Sequence, residues 1–92
     1  MTRRVYFVAH GGTVQGVGFR YFTRKQANAH GITGWVRNTP NNKVDGEAQG
    51  NEDVLQTFLK DVDSGPPGSK VVKLDTEDRD VAEGETGFEV RH

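Results

Sequence analysis

The run Gly12-Thr13-Val14-Gln15-Gly16-Val17-Gly18-Phe19-Arg20 sets three glycines within seven residues ahead of an arginine. Glycine lets a backbone curl tightly enough for consecutive N–H groups to converge on one anion. A helix starting at the end of such a run adds its positive N-terminal end to the same spot. Arg20 adds a permanently charged, forked donor. Together these form a cradle and a clamp suited to phosphate. The same glycines also read as a plain β–α turn with a surface arginine, and spacing alone does not separate the two. The run is not a GxxxxGK[ST] loop, because no Lys-Ser/Thr follows, and GxGxxG does not occur. A magnesium nucleotide is therefore not implied.

Other candidates have bland readings beside them. Asn38, before Thr39-Pro40, reads by itself as a turn former at a strand end. His10 and His30 have the chemistry of a base or a phosphohistidine nucleophile, yet they fall at a strand end and at a helix end before Gly31, where structural roles are expected. The acids of the stretch Asp75 to Glu85 lack calcium-loop spacing and alternate with Arg79, Val81 and Gly84, which describes a solvated loop. Phe19, Tyr21, Phe22 and Trp35 could offer stacking surfaces to single-stranded RNA, but the aromatic-glycine strings of RNA-recognition strands are absent.

These residues need elements to hold them. Arg4 to Ala9 is rich in β-formers and ends at Gly11-Gly12, predicting a first strand. Phe22 to Ala29 is helix-compatible and closed by Gly31. Ile32 to Arg37 and Lys43 to Gln49 read as strands joined by a hairpin over Pro40-Asn41-Asn42, since Asn tolerates positive φ. Val54, Leu55, Phe58, Leu59 and Val62 make the stripe of an amphipathic helix from Glu52 to Val62, stopped by Gly65-Pro66-Pro67-Gly68. Lys70 to Thr76 is a β-branched strand, Glu77 to Glu85 an acidic loop, and Phe88 to Arg91 a short closing strand. The order βαββαβ plus a closing strand predicts an α+β, ferredoxin-like sandwich, with two helices on one face of an antiparallel sheet.

Composition narrows the class. A chain of 92 residues suits one domain over 1–92. Without cysteine there is no disulfide framework, thiolate metal site or phosphocysteine chemistry, and a reducing compartment fits. The apolar stretch Val5 to Ala9 is too short for a signal peptide or a membrane span. Met1 to Lys43 carries seven Lys/Arg and no acid, whereas Val44 to His92 carries five basic and thirteen acidic residues, so the segments are +7 and −8. Such asymmetry points to an anion handled by the first segment, unless strands from the two halves interleave and neutralise one another.

The full string Val14-Gln15-Gly16-Val17-Gly18-Phe19-Arg20 resembles the VQGVxFR signature of the acylphosphatase family, with Gly12 where that family has its glycine. The family's second signature is glycine, aromatic, small apolar, polar, asparagine, then a glycine, a valine and a glycine at fixed distances. Gly34-Trp35-Val36-Arg37-Asn38 fits it, as do Val44 and Gly50, while Asn42 replaces the hairpin glycine and leaves only the hairpin type open. The likeness extends over nearly the whole chain, through Gly65-Pro66 to Phe88–Arg91. It implies the ferredoxin-like fold and a phosphate site made by backbone groups of Gln15, Gly16, Val17, Gly18, Phe19 and Arg20. It also implies catalytic Arg20 and Asn38, no metal and no cofactor. Thr23 and Thr39 match family positions near the site, in an orienting or a merely structural role.

The chemistry agrees with so small a residue set. An acyl phosphate departs as a carboxylate whose conjugate acid has a pKa of ~4, so a general acid is dispensable. Phosphoryl transfer passes through a loose transition state in which positioning and charge stabilisation dominate, so a neutral asparagine suffices to orient water. The expectation is a cytoplasmic, monomeric acylphosphatase that takes a small-molecule acyl phosphate and releases inorganic phosphate, without metal, nucleic acid or membrane. The alternatives are a non-enzymatic phosphate or nucleic-acid binding module, or a fragment of a carbamoyl-phosphate-using enzyme with such a domain at its N-terminus. The latter should continue well past His92, whereas this chain starts at Met1 and ends just after its closing strand.

Overall fold

A computed structural model of the chain describes residues 1–16 and 18–92. The elements are β1 (Thr2–His10), α1 (Phe19–His30), β2 (Thr33–Asn38), β3 (Val44–Asn51), α2 (Glu52–Ser64), β4 (Lys73–Arg79) and β5 (Phe88–Arg91). The sheet runs β4-β1-β3-β2-β5. Its first four strands are antiparallel, and β5 joins β2 in parallel, making that edge of the sheet mixed. The α+β arrangement is the expected one, with both helices packed on the sheet and against each other.

Alternation in the strands decides which face the helices cover. Val5, Phe7 and Ala9 of β1 are buried, facing across the pairing to Ala48, Gly46 and Val44 of β3. A side chain at Gly46 would meet the Trp35 carbonyl oxygen and the Phe7 ring, its Cβ falling 2.8 Å from Phe7 Cζ, so this glycine makes room for both. Leu55, Phe58, Leu59 and Val62 form the buried stripe of α2. The Phe58 ring packs edge-on to Phe7 at 6.0 Å and lies 5.9 Å from Phe88. Losing so central a ring costs ~3–5 kcal/mol in comparable cores.

Most element ends differ from the sequence expectation by one or two residues, and ends of two elements differ by three for identifiable reasons. Helix α1 starts at Phe19, three residues before Phe22, because Gly18 adopts the left-handed conformation (φ 71°) and accepts the Phe22 N–H at 2.9 Å. Strand β4 begins at Lys73 and runs to Arg79, later than Lys70 to Thr76. Lys70 instead makes an isolated bridge to Thr13. The acids Glu77 and Asp78 are strand residues, Asp78 held by Arg3 and Glu77 by Arg79. The expected acidic loop therefore contracts to residues 80–87.

Those residues connect opposite edges of the sheet and cross its open face as a strap. Gln49 clasps the strap by accepting the Ala82 N–H (2.8 Å) and donating to the Ala82 carbonyl (3.0 Å). Arg4, only 5% exposed, forks onto Glu85 (2.7 and 3.1 Å) and donates to Glu47 (2.6 Å). Arg37 likewise pairs with Asp45, which also accepts the Tyr6 hydroxyl. Basic residues of the first half thus meet acids of the second across the sheet, which accounts for much of the charge asymmetry without any ligand.

Candidate active site

The segment after β1 is anchored by the Lys70 N–H bonding to the Thr13 carbonyl (2.8 Å) and by the fully buried Val14. Beyond it Gly16 and Gly18 have φ of 77° and 71°, a left-handed backbone that favours glycine. Helix α1 starts there with no side-chain cap and no acid in its first turn. The N–H groups of Phe19, Arg20 and Tyr21 thus have no acceptor within the helix and present its positive end.

Asn38 ends β2. It pairs with Val44 and shares the helix-covered face with Val36, which pairs with Gly46. This brings it to the start of α1. Val14, Gly16, Gly18, Phe19, Arg20, Tyr21 and Asn38 line one cavity of ≈ 270 Å³. Two residues 18 positions apart, Arg20 and Asn38, are thereby placed in the same concavity, with glycine backbone on its wall.

The contacts of Arg20 set it apart. Its Nη1 donates to the Arg91 carbonyl at 2.8 Å and lies 3.2 Å from His92 Nδ1. Arg3, Arg4, Arg37, Arg79 and Arg91 each meet a carboxylate. Among the described residues Arg20 and Arg24 meet none, and Arg24 lies over the Tyr21 ring, 5.3 Å from its centroid. Arg20 is thus held by a neutral carbonyl that positions its fork without neutralising it.

The other sequence candidates are dispersed around this centre. Gly16, Gly18 and Phe19 line the cavity with Arg20 and Asn38, whereas Gln15, Thr23 and Thr39 do not. Val17 lies outside the described residues. Thr23 is buried in α1 with its hydroxyl donating to the Phe19 carbonyl at 2.8 Å. Thr39 closes the β2–β3 turn, its N–H bonding to the Lys43 carbonyl and its Oγ1 accepting from the Lys43 N–H (3.0 Å). Asn42 has φ 62°, filling the glycine-like position of that turn. His30 pairs with Asp61 between the helices at 3.1 Å, and His10 lies 2.9 Å from Asp75. Neither histidine lines the cavity.

Sequence reasoning missed the Arg91 carbonyl as the anchor of Arg20, since a backbone acceptor leaves no trace in residue type. It also missed Tyr21 as part of the cavity wall, half exposed at its mouth. No group of three or more His, Cys, Asp or Glu is arranged to hold a metal among the described residues, and no described helix is long and apolar enough to cross a membrane.

Comparisons with known proteins show the family. The family model described as Acylphosphatase matches residues 5–90. An acylphosphatase of Geobacillus kaustophilus is 41% identical over 90 residues, spanning 98% of this chain and 95% of that protein. The crystal structure of acylphosphatase from Bacillus subtilis is similar with a TM-score of 0.88 and 36% identity, covering 100% of both chains. An acylphosphatase structure from Coxiella burnetii gives a TM-score of 0.90 at 32% identity, covering 98% of this chain and 93% of that one. A loop and an asparagine strand that share one cavity, in a fold matched from end to end, lead to the same conclusion as these likenesses: the chain belongs to the acylphosphatase family.

Proposed function

We propose that this enzyme hydrolyses the carboxyl–phosphate bond of small acyl phosphates without a metal, Arg20 and the loop N–H groups binding the phosphate and Asn38 orienting the attacking water. One observation carries the reading: an arginine with no carboxylate partner among the described residues shares a cavity with an uncapped helix N-terminus and with Asn38. The phosphoryl oxygens take the place that a carboxylate takes on the arginines of the sheet. Arg20 and the N–H groups of Gly16 to Arg20 receive the charge spreading over the equatorial oxygens. Donors fixed in advance stabilise such charge by ~2.7–4 kcal/mol each.

Asn38 accepts a hydrogen bond from water and holds it in line with the scissile P–O bond. As that bond breaks, the carboxylate leaves with the electron pair, water oxygen bonds to phosphorus, and its proton goes to a phosphoryl oxygen or solvent. No side chain needs to titrate, which suits a cavity whose lining holds no His, Asp or Glu among the described residues. The proposal includes a monomeric, cytoplasmic enzyme without nucleic-acid partners. Trp35, one of the four stacking candidates, already has Arg37 and Arg91 on its ring, at 5.1 and 4.5 Å from the centroid.

A hydrolysis assay tests this reading. Acetyl phosphate and benzoyl phosphate should be cleaved at neutral pH, a simple alkyl phosphate should resist, and exhaustive EDTA treatment should leave the rate intact. Equal rates on both substrate classes, or EDTA inhibition reversed by magnesium, would overturn it.

A further inference from the structure

Gln15 does not touch the cavity, yet its carboxamide spans the two halves of the site. Its Nε2 donates to the Thr39 carbonyl at 2.9 Å and to the Lys43 carbonyl at 2.8 Å. A primary amide has two N–H donors, and both are committed here. One acceptor belongs to the residue next to Asn38. The other lies at the far side of the turn, next to Val44, which pairs with Asn38.

We propose that Gln15 is a positioning residue for hydrolysis, a strut that fixes Asn38 relative to the phosphate cradle; this rests on the water-orienting role proposed for Asn38. The turn does not need Gln15 to stay closed. Thr39 N–H already bonds to the Lys43 carbonyl at 2.9 Å, and Lys43 N–H to Thr39 Oγ1 at 3.0 Å. The two Gln15 bonds therefore tie an already closed turn to a different segment. The far end of the strut is equally firm: Gln15 follows the buried Val14 and precedes Gly16, so the residue that grips the hairpin is also the one from which the cradle rises. Two bonds to carbonyls on opposite sides of a turn resist both sliding and rotation, which a single bond does not.

In-line attack depends steeply on this distance. A shift of ~1 Å in a reacting group can cost ~10²-fold in rate. Phosphate binding draws on Arg20 and the helix N-terminus, so it should be nearly indifferent to where the hairpin sits. Gln15 therefore acts on kcat through Asn38 and hardly at all on phosphate affinity.

A double-mutant cycle on the full chain tests this, with acetyl phosphate turnover and inorganic phosphate affinity as readouts. Gln15→Ala should lower kcat by at least ~10-fold in the native background while changing phosphate affinity by less than about 3-fold. In the Asn38→Ala background, followed at high enzyme concentration, the same substitution should change the residual rate by less than about 2-fold. Gln15→Glu keeps the size but presents an acceptor to two carbonyls, and it should lose as much kcat as alanine. It also serves as the second variant should Gln15→Ala fail to fold. Equal losses in both backgrounds would show a general structural effect and overturn the proposal, as would full kcat in either Gln15 variant. Failure of the underlying reading looks different: Asn38→Ala alone would then keep its kcat, whatever Gln15 does.

Discussion

Arginines occupy two different settings in this molecule. On the open face of the sheet, Arg4 lies against Glu47 and Glu85, Arg37 against Asp45 and Arg79 against Glu77. At the start of α1, Arg20 has the Arg91 carbonyl and the His92 ring, and beside it are helix N–H groups without acceptors. The first region has satisfied its charge within the chain, and the second has its donors placed and its counter-charge missing. Only the second can gain from an incoming anion, because an arginine already forked onto a carboxylate would have to give up one partner for another. Sequence charge alone does not reveal the distinction, since every one of these residues counts equally toward the basic first segment or its acidic complement.

Substitutions in the two regions should therefore separate cleanly. The largest effect is expected at Arg20: the alanine variant should fold with nearly native stability, yet its kcat/KM should fall ~10²–10³-fold, the loss of a charged donor to the transition state. Arg4→Ala should do the reverse. It leaves Glu47 and Glu85 facing each other beneath the strap without their shared cation, and urea unfolding should show a loss of ~3 kcal/mol with kcat per folded molecule unchanged. A comparable loss of activity per folded molecule in Arg4→Ala would erase the distinction between the regions.

Smaller effects depend on pH. The hydrogen bond and charge of Arg4 hold the Glu85 carboxyl below its ordinary value of 4.5 despite partial burial. A depressed carboxyl contributes stability that is full above its unfolded value and is lost as pH falls through its folded one. Glu85→Gln should thus cost ~1–2 kcal/mol at pH ~7, and the gap to native protein should close below pH ~4. If the gap were the same at both pH values, Glu85 would hold the strap by packing and not by charge.

The smallest effect at neutral pH should come from Tyr6→Phe, which removes one hydrogen bond worth ~0.5–1.5 kcal/mol. Burial, with the hydrogen bond to Asp45, pushes the Tyr6 hydroxyl up from 10 to about 12. A raised acid of this kind contributes stability below its unfolded value that is lost as pH climbs toward its folded one. Native protein should therefore lose stability between pH ~10 and ~12 more steeply than the Phe variant. Parallel alkaline curves would contradict the contact.

The amphipathic stripe of α2 was legible because Leu55, Phe58, Leu59 and Val62 all face one core, and the closing strand Phe88–Arg91 because turn formers bound it. Helix α1 was harder to place. Its start is set by the left-handed turn at Gly18 and not by an apolar period, so nothing in Phe19-Arg20-Tyr21 separates the first helical turn from the glycine run before it. Strand β4 was legible, but its end was set three residues early because Glu77 and Asp78 look like loop acids in the sequence, whereas pairing with β1 and ion pairs to Arg3 and Arg79 make them strand residues.

At the candidate site, residue types and spacing left the glycine run and Arg20 open between a phosphate cradle and a plain turn, and the resemblance of the full string pointed to the cradle. The spatial meeting with Asn38 depends on β2 lying next to β3 and on the turn that Gln15 grips, which no local pattern states. The Arg91 carbonyl behind Arg20 was illegible for a different reason, because main-chain acceptors are identical at every residue.

Phosphate-dependent thermal shift, measured on native protein, Arg20→Ala and Asn38→Ala and set beside turnover, tests the division of labour most directly. A ligand that binds only the folded state raises its stability by RT ln(1 + [L]/Kd), so the shift reports affinity without any reaction. Asn38→Ala should keep a nearly native shift while kcat collapses, and Arg20→Ala should lose both the shift and turnover. Equal loss of the shift in the two variants would make Asn38 a phosphate ligand and contradict its place on the water, and an undiminished shift in Arg20→Ala would contradict the account of Arg20 as the clamp.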